Sequence, residues 1–329
     1  MANIIIRPAW YLPENRVTPE RFFQNRRKFL RQLGVAGAGA MSLSAIGCRQ
    51  GTAAEALPAT APKELANIAG SKTFPAPRHP SFSPDWKLSD PEAASTYNNF
   101  YEFTLQKDVF RHIGKFTTDP WTIDITGLCE NPMKISPSEL VSEFGLEERV
   151  YRLRCVEAWA MIVPWTGFQL SKLIEKAKPK PEAKFIRLLT ASKPDQMPGM
   201  VRVPDYPWPY FEALRMEEAL NPLTLVATGI YGKPLPKQHG APIRLEVPWK
   251  YGYKSIKSIV KIEFTDQQPK TFWETLQPAE YPFESNVDPK VPHPRWSQAT
   301  HRMIDTNARE RTLPLNGYAD YVGQLYKRG

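Results

Sequence analysis

Several stretches of the chain carry a hydrophobic rhythm that specifies an element. Trp121-Thr122-Ile123-Asp124-Ile125-Thr126-Gly127 alternates apolar and polar positions and ends on a turn residue, which predicts a strand. Ser136-Pro137-Ser138-Glu139 puts Ser at an N-cap, Pro at the first helical position and Glu at N3, so a short helix should run to Phe144. Leu170, Leu173, Ile174 and Ala177 share one face of a second short helix. Phe185 to Thr190 reads as a strand, and Glu212 to Leu220 as a helix halted at Asn221-Pro222. Three further strands are expected at Leu223 to Thr228, Ile243 to Val247 and Ser258 to Phe264. Val150-Tyr151-Arg152-Leu153 is β-prone, and residues 265–329 read as a wrap over the core. Strands and short helices intermingle without a steady βαβ rhythm or internal repeat. The expected class is therefore α+β with mixed sheets.

Composition changes this picture in two places. A chain of 329 residues holds one large or two ordinary domains, and its 33 prolines are too many for a mainly helical protein. Residues 51–95, rich in Ala, Pro, Ser and Lys, read as a linker and surface wrap, and 96–329 as a single catalytic domain. The net charge of +9 belongs to the N-terminus. Residues 1–50 hold eight Lys/Arg against two Asp/Glu, leaving 35 and 32 of the chain's 43 and 34 for residues 51–329. That near-neutral remainder argues against a nucleic-acid binder.

The basic N-terminus is specific in kind. Asn25-Arg26-Arg27-Lys28-Phe29-Leu30 is a twin-arginine core, and a weakly apolar run from Leu33 to Ile46 follows it. Residues 1–50 therefore read as a twin-arginine signal peptide, too short in its apolar part to span a bilayer. The plain alternative is an amphipathic or disordered arm. Ala45-Ile46-Gly47-Cys48 resembles a lipobox that would put a lipid anchor on Cys48, while Ala53 to Ala61 offers ordinary cleavage sites. Export implies the periplasm.

Only three cysteines are present, at 48, 129 and 155. Cys155 sits beside Arg152 and Arg154, and nearby positive charge favours the thiolate, which is both nucleophile and metal ligand. The competing reading is a buried structural thiol, or one paired with Cys129 in a disulfide. Other polar groups gather in turn-rich segments, at Tyr97 to Phe103, at His239 to Arg244 and at Pro248 to Lys257. In the last of these, Lys250, Lys254 and Lys257 are candidates for holding an anion. Each segment also has a structural reading: a turn cap, an ion-pair partner, a solvated edge strand. Trp159, Trp165 and Trp249 either shape a pocket or pack the core.

Taken together these segments resemble a known family. They are Tyr97-Asn98-Asn99-Phe100-Tyr101-Glu102-Phe103, Arg154-Cys155-Val156-Glu157-Ala158-Trp159, Val163-Pro164-Trp165, Gln196-Met197-Pro198-Gly199, Gly240-Ala241-Pro242-Ile243-Arg244, Val247-Pro248-Trp249-Lys250-Tyr251-Gly252 and His293-Pro294-Arg295-Trp296-Ser297-Gln298-Ala299-Thr300. From about residue 90 onward the chain resembles the sulfite-oxidase superfamily of molybdopterin enzymes. Within it, the likeness is to the exported catalytic subunits that reduce methionine sulfoxide in proteins.

The resemblance implies a Mo-molybdopterin cofactor in its mononucleotide form. Cys155 would be the catalytic thiolate ligand to molybdenum. Asn98, Tyr101, Glu102, Thr190, His239, Arg244, Ser255, Ile256 and Lys257 would hold the pterin and its phosphate. Arg244 and Lys257 suit the phosphate, and Ser255 and Ile256 would act partly through backbone groups. His239 departs from the family's Asn but matches the histidine of sulfite oxidases. Val156-Glu157-Ala158-Trp159 stands where sulfite oxidases carry arginines, which favours a neutral sulfoxide over an oxyanion. The implied reaction is oxygen-atom transfer from methionine sulfoxide, free or in oxidised exported proteins, giving methionine. No C-x-x-C-H haem signature is present, and the resemblance implies a membrane haem-b subunit as electron donor. The alternatives are a sulfite-oxidase-like enzyme acting on a small oxyanion and a metal-free exported binding module.

Overall fold

The computed structural model describes residues 73–327, so the twin-arginine segment and Cys48 lie outside the described residues. Two mixed sheets carry the fold. The first has β1 (Ile123–Gly127), β2 (Met133–Ile135), β5 (Phe185–Thr190), β6 (Phe211–Arg215) and β10 (Ile259–Thr265), in the order β2-β1-β10-β5-β6. The second is built on β4 (Trp159–Gln169) and β7 (Leu225–Ile230). Its other strands are β3 (Glu147–Arg154), β8 (Lys233–Pro234), β9 (Arg244–Glu246), β11 (Thr300–Met303) and β12 (Arg309–Arg311). Each sheet has one parallel pair, β1 with β10 and β11 with β4, and is otherwise antiparallel.

Local chemistry explains several elements directly. Helices α1 (Pro91–Thr96), α2 (Pro137–Phe144) and α3 (Leu170–Ala177) are short. At α2 the Glu139 carboxylate accepts from the Ser136 N–H at 2.7 Å, and Ser136 Oγ accepts from the Glu139 N–H at 3.2 Å, a reciprocal capping box. Helix α3 buries Leu170, Leu173, Ile174 and Ala177, as the periodicity requires. In β1, Ile123 and Ile125 point into the core while Asp124 and Thr126 do not.

The expected helix over Glu212–Leu220 is half strand. Residues 211–215 form β6, registered against β5 from Phe185↔Arg215 to Leu189↔Phe211, and only α5 (Met216–Ala219) is helical. Glu212 misled the pattern. It is fully buried, and its charge is met by Lys254 Nζ at 2.8 Å, so a polar residue occupies a core position. The 11-residue β4 was not anticipated either. It is buried on both faces and so has no alternation.

Both ends of the described chain are stitched to the second sheet. The Ser89 N–H donates to the Ile162 carbonyl at 2.8 Å, and the His79 N–H to that of Glu148 at 2.8 Å. The C-terminal segment supplies β11, β12 and the short helix α6 (Phe272–Leu276), numbered here after α4 (Pro198–Arg202) and α5. No helix of the described residues is long and apolar enough to cross a membrane.

Candidate active site

Cys155 is the first residue of the four-residue turn from β3 to β4. Its N–H donates to the Trp159 carbonyl at 2.9 Å, and its carbonyl accepts from the Ala158 N–H at 3.0 Å. The C-terminal segment braces this turn: Trp296 Nε1 and Gln298 Nε2 both donate to the Val156 carbonyl, at 2.7 and 2.8 Å. The turn presents Cys155 and Glu157, and the start of β4 presents Trp159, to a cavity of about 520 Å³, within the ordinary size range of a small-molecule site.

All ten residues singled out in the sequence line this cavity. Asn98, Tyr101 and Glu102 come from the loop after α1, Cys155 from the β3–β4 turn, and Thr190 from the end of β5. His239 and Arg244 flank the turn into β9, and Ser255, Ile256 and Lys257 precede β10. Gly240 allows the last two groups to meet. Its φ is +96°, and a Cβ there would lie 2.5 Å from the Lys257 Cβ. Thr190 Oγ1 donates to the Lys257 carbonyl at 2.8 Å and fixes that backbone.

The two cations expected at a phosphate differ in their surroundings. Arg244 is buried, with Glu246 Oε1 2.6 Å away and the His239 carbonyl at 2.7 Å, and its guanidinium lies over Trp165 at 4.7 Å. Lys257 forms no ion pair among the described residues, and burial, with Arg244 nearby, pushes its ammonium below the usual lysine range. Burial pushes the neighbouring Glu102 carboxyl up.

Two of the three lysine candidates do other work. Lys250 is buried against Glu218 Oε1 at 2.7 Å, and Lys254 against Glu212, so neither reaches the cavity. Trp165 and Trp249 are fully buried core residues, and of the three tryptophans considered only Trp159 lines the cavity.

The thiol environment also differs from expectation. Arg154 donates to the Cys155 carbonyl, to Gln298 Oε1 at 2.7 Å and to Thr312, and Arg152 stacks on Trp86 at 4.0 Å, so neither guanidinium donates to the sulfur. Burial, followed by the Glu157 charge, pushes the Cys155 thiol up to about 12. A metal bound here therefore displaces a proton from sulfur. Cys129 and Cys155 are both free, which rules out a disulfide between them in this structure.

Sequence reasoning named Glu157 and Trp159 beside the cysteine and Asn99 in a motif but not their contacts, and it missed Lys107. Glu157 Oε2 lies 3.7 Å from Cys155 Sγ and receives Lys107 Nζ at 2.5 Å, Trp159 Nε1 at 2.9 Å and Asn99 Nδ2 at 3.1 Å. Burial works against this carboxylate, but the Lys107 contact and the other donors outweigh it and hold Glu157 below the usual glutamate range. Trp273, Tyr281 and Trp296 complete an aromatic mouth. Tyr101 meets Trp273 edge-on at 5.1 Å.

The residues fit a large polar cofactor bearing a soft metal. His239 is buried at 1% exposure, and neither ring nitrogen has a hydrogen-bond partner among the described residues; the same is true of Asn98 Oδ1. Buried polar atoms without partners are costly, and a ligand in the cavity would satisfy them. Cys155 supplies one soft donor. Among the described residues no group of three His, Cys, Asp or Glu could hold a metal.

Comparison with known proteins agrees. The family described as "Oxidoreductase molybdopterin binding domain" matches residues 111–273, in keeping with the mixed-sheet fold. Three similar proteins are named "Protein-methionine-sulfoxide reductase catalytic subunit MsrP". The one from Burkholderia mallei is 45% identical over 96% of this chain and 93% of its own. Those from Xanthomonas axonopodis pv. citri and Campylobacter jejuni are 46% and 45% identical, over 97% and 94% of this chain and 96% and 97% of theirs. The chain belongs to the family of protein-methionine-sulfoxide reductase catalytic subunits.

Proposed function

We propose that this protein reduces methionine sulfoxide to methionine at a Mo-molybdopterin held in the Cys155 cavity. The observation that carries this reading is the pairing of the Cys155 thiol with a carboxylate kept ionised 3.7 Å away, at the foot of an aromatic mouth. An ionised Glu157 repels an anion such as sulfite at the reacting position. Rings of Trp159, Trp273 and Trp296 suit a neutral sulfur group, since sulfur packs favourably on aromatic faces. When bound, the cofactor supplies the two-electron oxygen-atom acceptor, and the balanced reaction consumes two electrons and two protons to give methionine and water.

The chain's own groups have defined parts. Cys155 ligates the metal. Lys257, whose ammonium forms no ion pair among the described residues, meets the phosphate of a mononucleotide-form pterin, and His239, Asn98 and Thr190 orient the pterin. Arg244, held by Glu246, fixes the His239 backbone and adds positive potential. The twin-arginine segment supports export to the periplasm with the cofactor already inserted, where oxidised exported proteins would be substrates. A lipid on Cys48 would tether the protein. The relatives' designation as catalytic subunits supports a partner subunit, and a membrane haem-b protein fits the absence of a haem signature in this chain.

The test is made on the molybdenum-loaded protein in two arms: substrate competition with a reduced dye as electron source, and sulfite alone with an oxidised dye as electron acceptor. Methionine sulfoxide should be turned over and sulfite should compete poorly. Efficient sulfite oxidation without sulfoxide reduction would replace this reading with the small-oxyanion one.

A further inference from the structure

The Asn99 side-chain amide is held between a group that only donates and a group that only accepts. Lys107 Nζ donates to Asn99 Oδ1, and the ionised Glu157 Oε2 accepts from Asn99 Nδ2 at 3.1 Å. Which way an asparagine amide faces is decided by whether its neighbours donate or accept. Here the reverse orientation would set the carbonyl against a carboxylate and the NH2 against an ammonium. The orientation is therefore fixed, and it aims Asn99 Nδ2 at Cys155 Sγ, 3.4 Å away.

Lys107 is well placed to enforce this. Its own carbonyl accepts from the Asn98 N–H at 3.0 Å, which closes the loop that carries both residues. Its ammonium also holds Glu157 Oε2 at 2.5 Å, with each side chain about three-quarters shielded from solvent. One cation thus holds both the amide oxygen and the carboxylate that the amide nitrogen faces. The Glu157 backbone N–H is a second donor to the sulfur, at 3.5 Å, and does not depend on Lys107.

We propose that Lys107 is a positioning residue for the metal's thiolate ligand: through Asn99 and Glu157 it maintains a side-chain N–H···S hydrogen bond to Cys155 and thereby raises the reduction potential of the bound centre. The physical reason is general. A donor aimed at a ligating sulfur stabilises negative charge there, and the reduced centre carries more of that charge. The inference rests on the reading of Cys155 as molybdenum ligand.

The experiment measures molybdenum content and the metal's midpoint potential, by EPR-monitored titration, in wild type, K107M, K107R, N99L and the K107M/N99L double variant. The expected result is retained molybdenum in all five and a lower potential in K107M. N99L should show a similar drop, K107R should recover towards wild type, and the double variant should fall no further than the single ones. An unshifted potential in metal-loaded K107M overturns the proposal, as do independent, additive shifts in the double variant. Loss of molybdenum from K107M overturns it as well, because Lys107 would then serve loading and not positioning. Wild-type protein without molybdenum defeats the underlying reading itself, and so the two failures are distinguishable.

Discussion

Arg244 Nη1 donates a 2.7 Å hydrogen bond to the carbonyl of His239, which anchors that residue by its backbone while both imidazole nitrogens remain without partners beside the cavity. The arrangement uses the guanidinium as scaffold and leaves the ring for a ligand. It also fixes the protonation state of the histidine. Burial, with Arg244 and Lys257 adding like charge, pushes His239 down to about 3.

That shift has a definite pH signature in the cofactor-free protein. The unfolded imidazole takes up a proton below about pH 6.5, and the folded one resists it until about pH 3. Stability should therefore fall with falling pH across this window, by up to about 1.4 kcal/mol per pH unit from this group. His239→Asn removes the titration, so its acid-unfolding midpoint should move to lower pH while molybdenum loading persists. Superimposable acid-unfolding curves for the two proteins would refute this assignment.

The lysines of the segment before β10 should separate cleanly. Lys250→Met leaves the buried Glu218 with only the more distant Arg215, at 3.5 Å, as a cation and should cost up to about 3–5 kcal/mol in stability. Much of that loss should return in the double variant with Glu218→Gln. Lys257→Met breaks no ion pair among the described residues and should leave the melting temperature of the cofactor-free protein nearly unchanged while lowering pterin content. Thermal melts and pterin assays on the three variants decide the point, and equal effects on both readouts would count against it.

Gly240→Ala tests the close approach that builds the cavity wall. The side chain would be strained at φ +96° and would collide with Lys257. A cost of about 1–3 kcal/mol follows, together with reduced cofactor content. Normal melting and normal molybdenum in this variant would mean the wall tolerates displacement.

Glu157→Gln removes the negative charge 3.7 Å from the Cys155 sulfur. Sulfite inhibition of sulfoxide reduction should strengthen at least about tenfold, equivalent to about 1.4 kcal/mol of relieved repulsion. An inhibition constant equal to that of wild type would show that the charge does not select the substrate.

What the sequence could convey follows the range of the interactions. The capping box at Ser136 and Glu139 was legible because its donors and acceptors lie three residues apart. The β6 strand was not, because the partner that permits a buried Glu212 is Lys254, far along the chain. For the same reason Lys250 and Lys254 looked available as anion ligands when buried carboxylates already held them. The ten cavity residues run from 98 to 257, and no periodicity links such positions; only the likeness to a known family assembled them. Lys107 carried no motif and became visible only through its contact with Glu157, 50 residues away. The arginines around Cys155 were read by proximity in sequence; Arg154 does reach the Cys155 carbonyl and its charge favours the thiolate, but burial outweighs it, and Arg152 is spent on Trp86.

The most direct test of the account is the molybdenum-to-protein ratio of the exported protein, purified from cells supplied with molybdate, in wild type and Cys155→Ser. The account predicts about one molybdenum per chain in wild type, and loss of the metal, or of its thiolate spectrum and activity, in the variant. Correctly folded wild-type protein devoid of molybdenum and pterin would contradict it and leave a binding module in place of an enzyme.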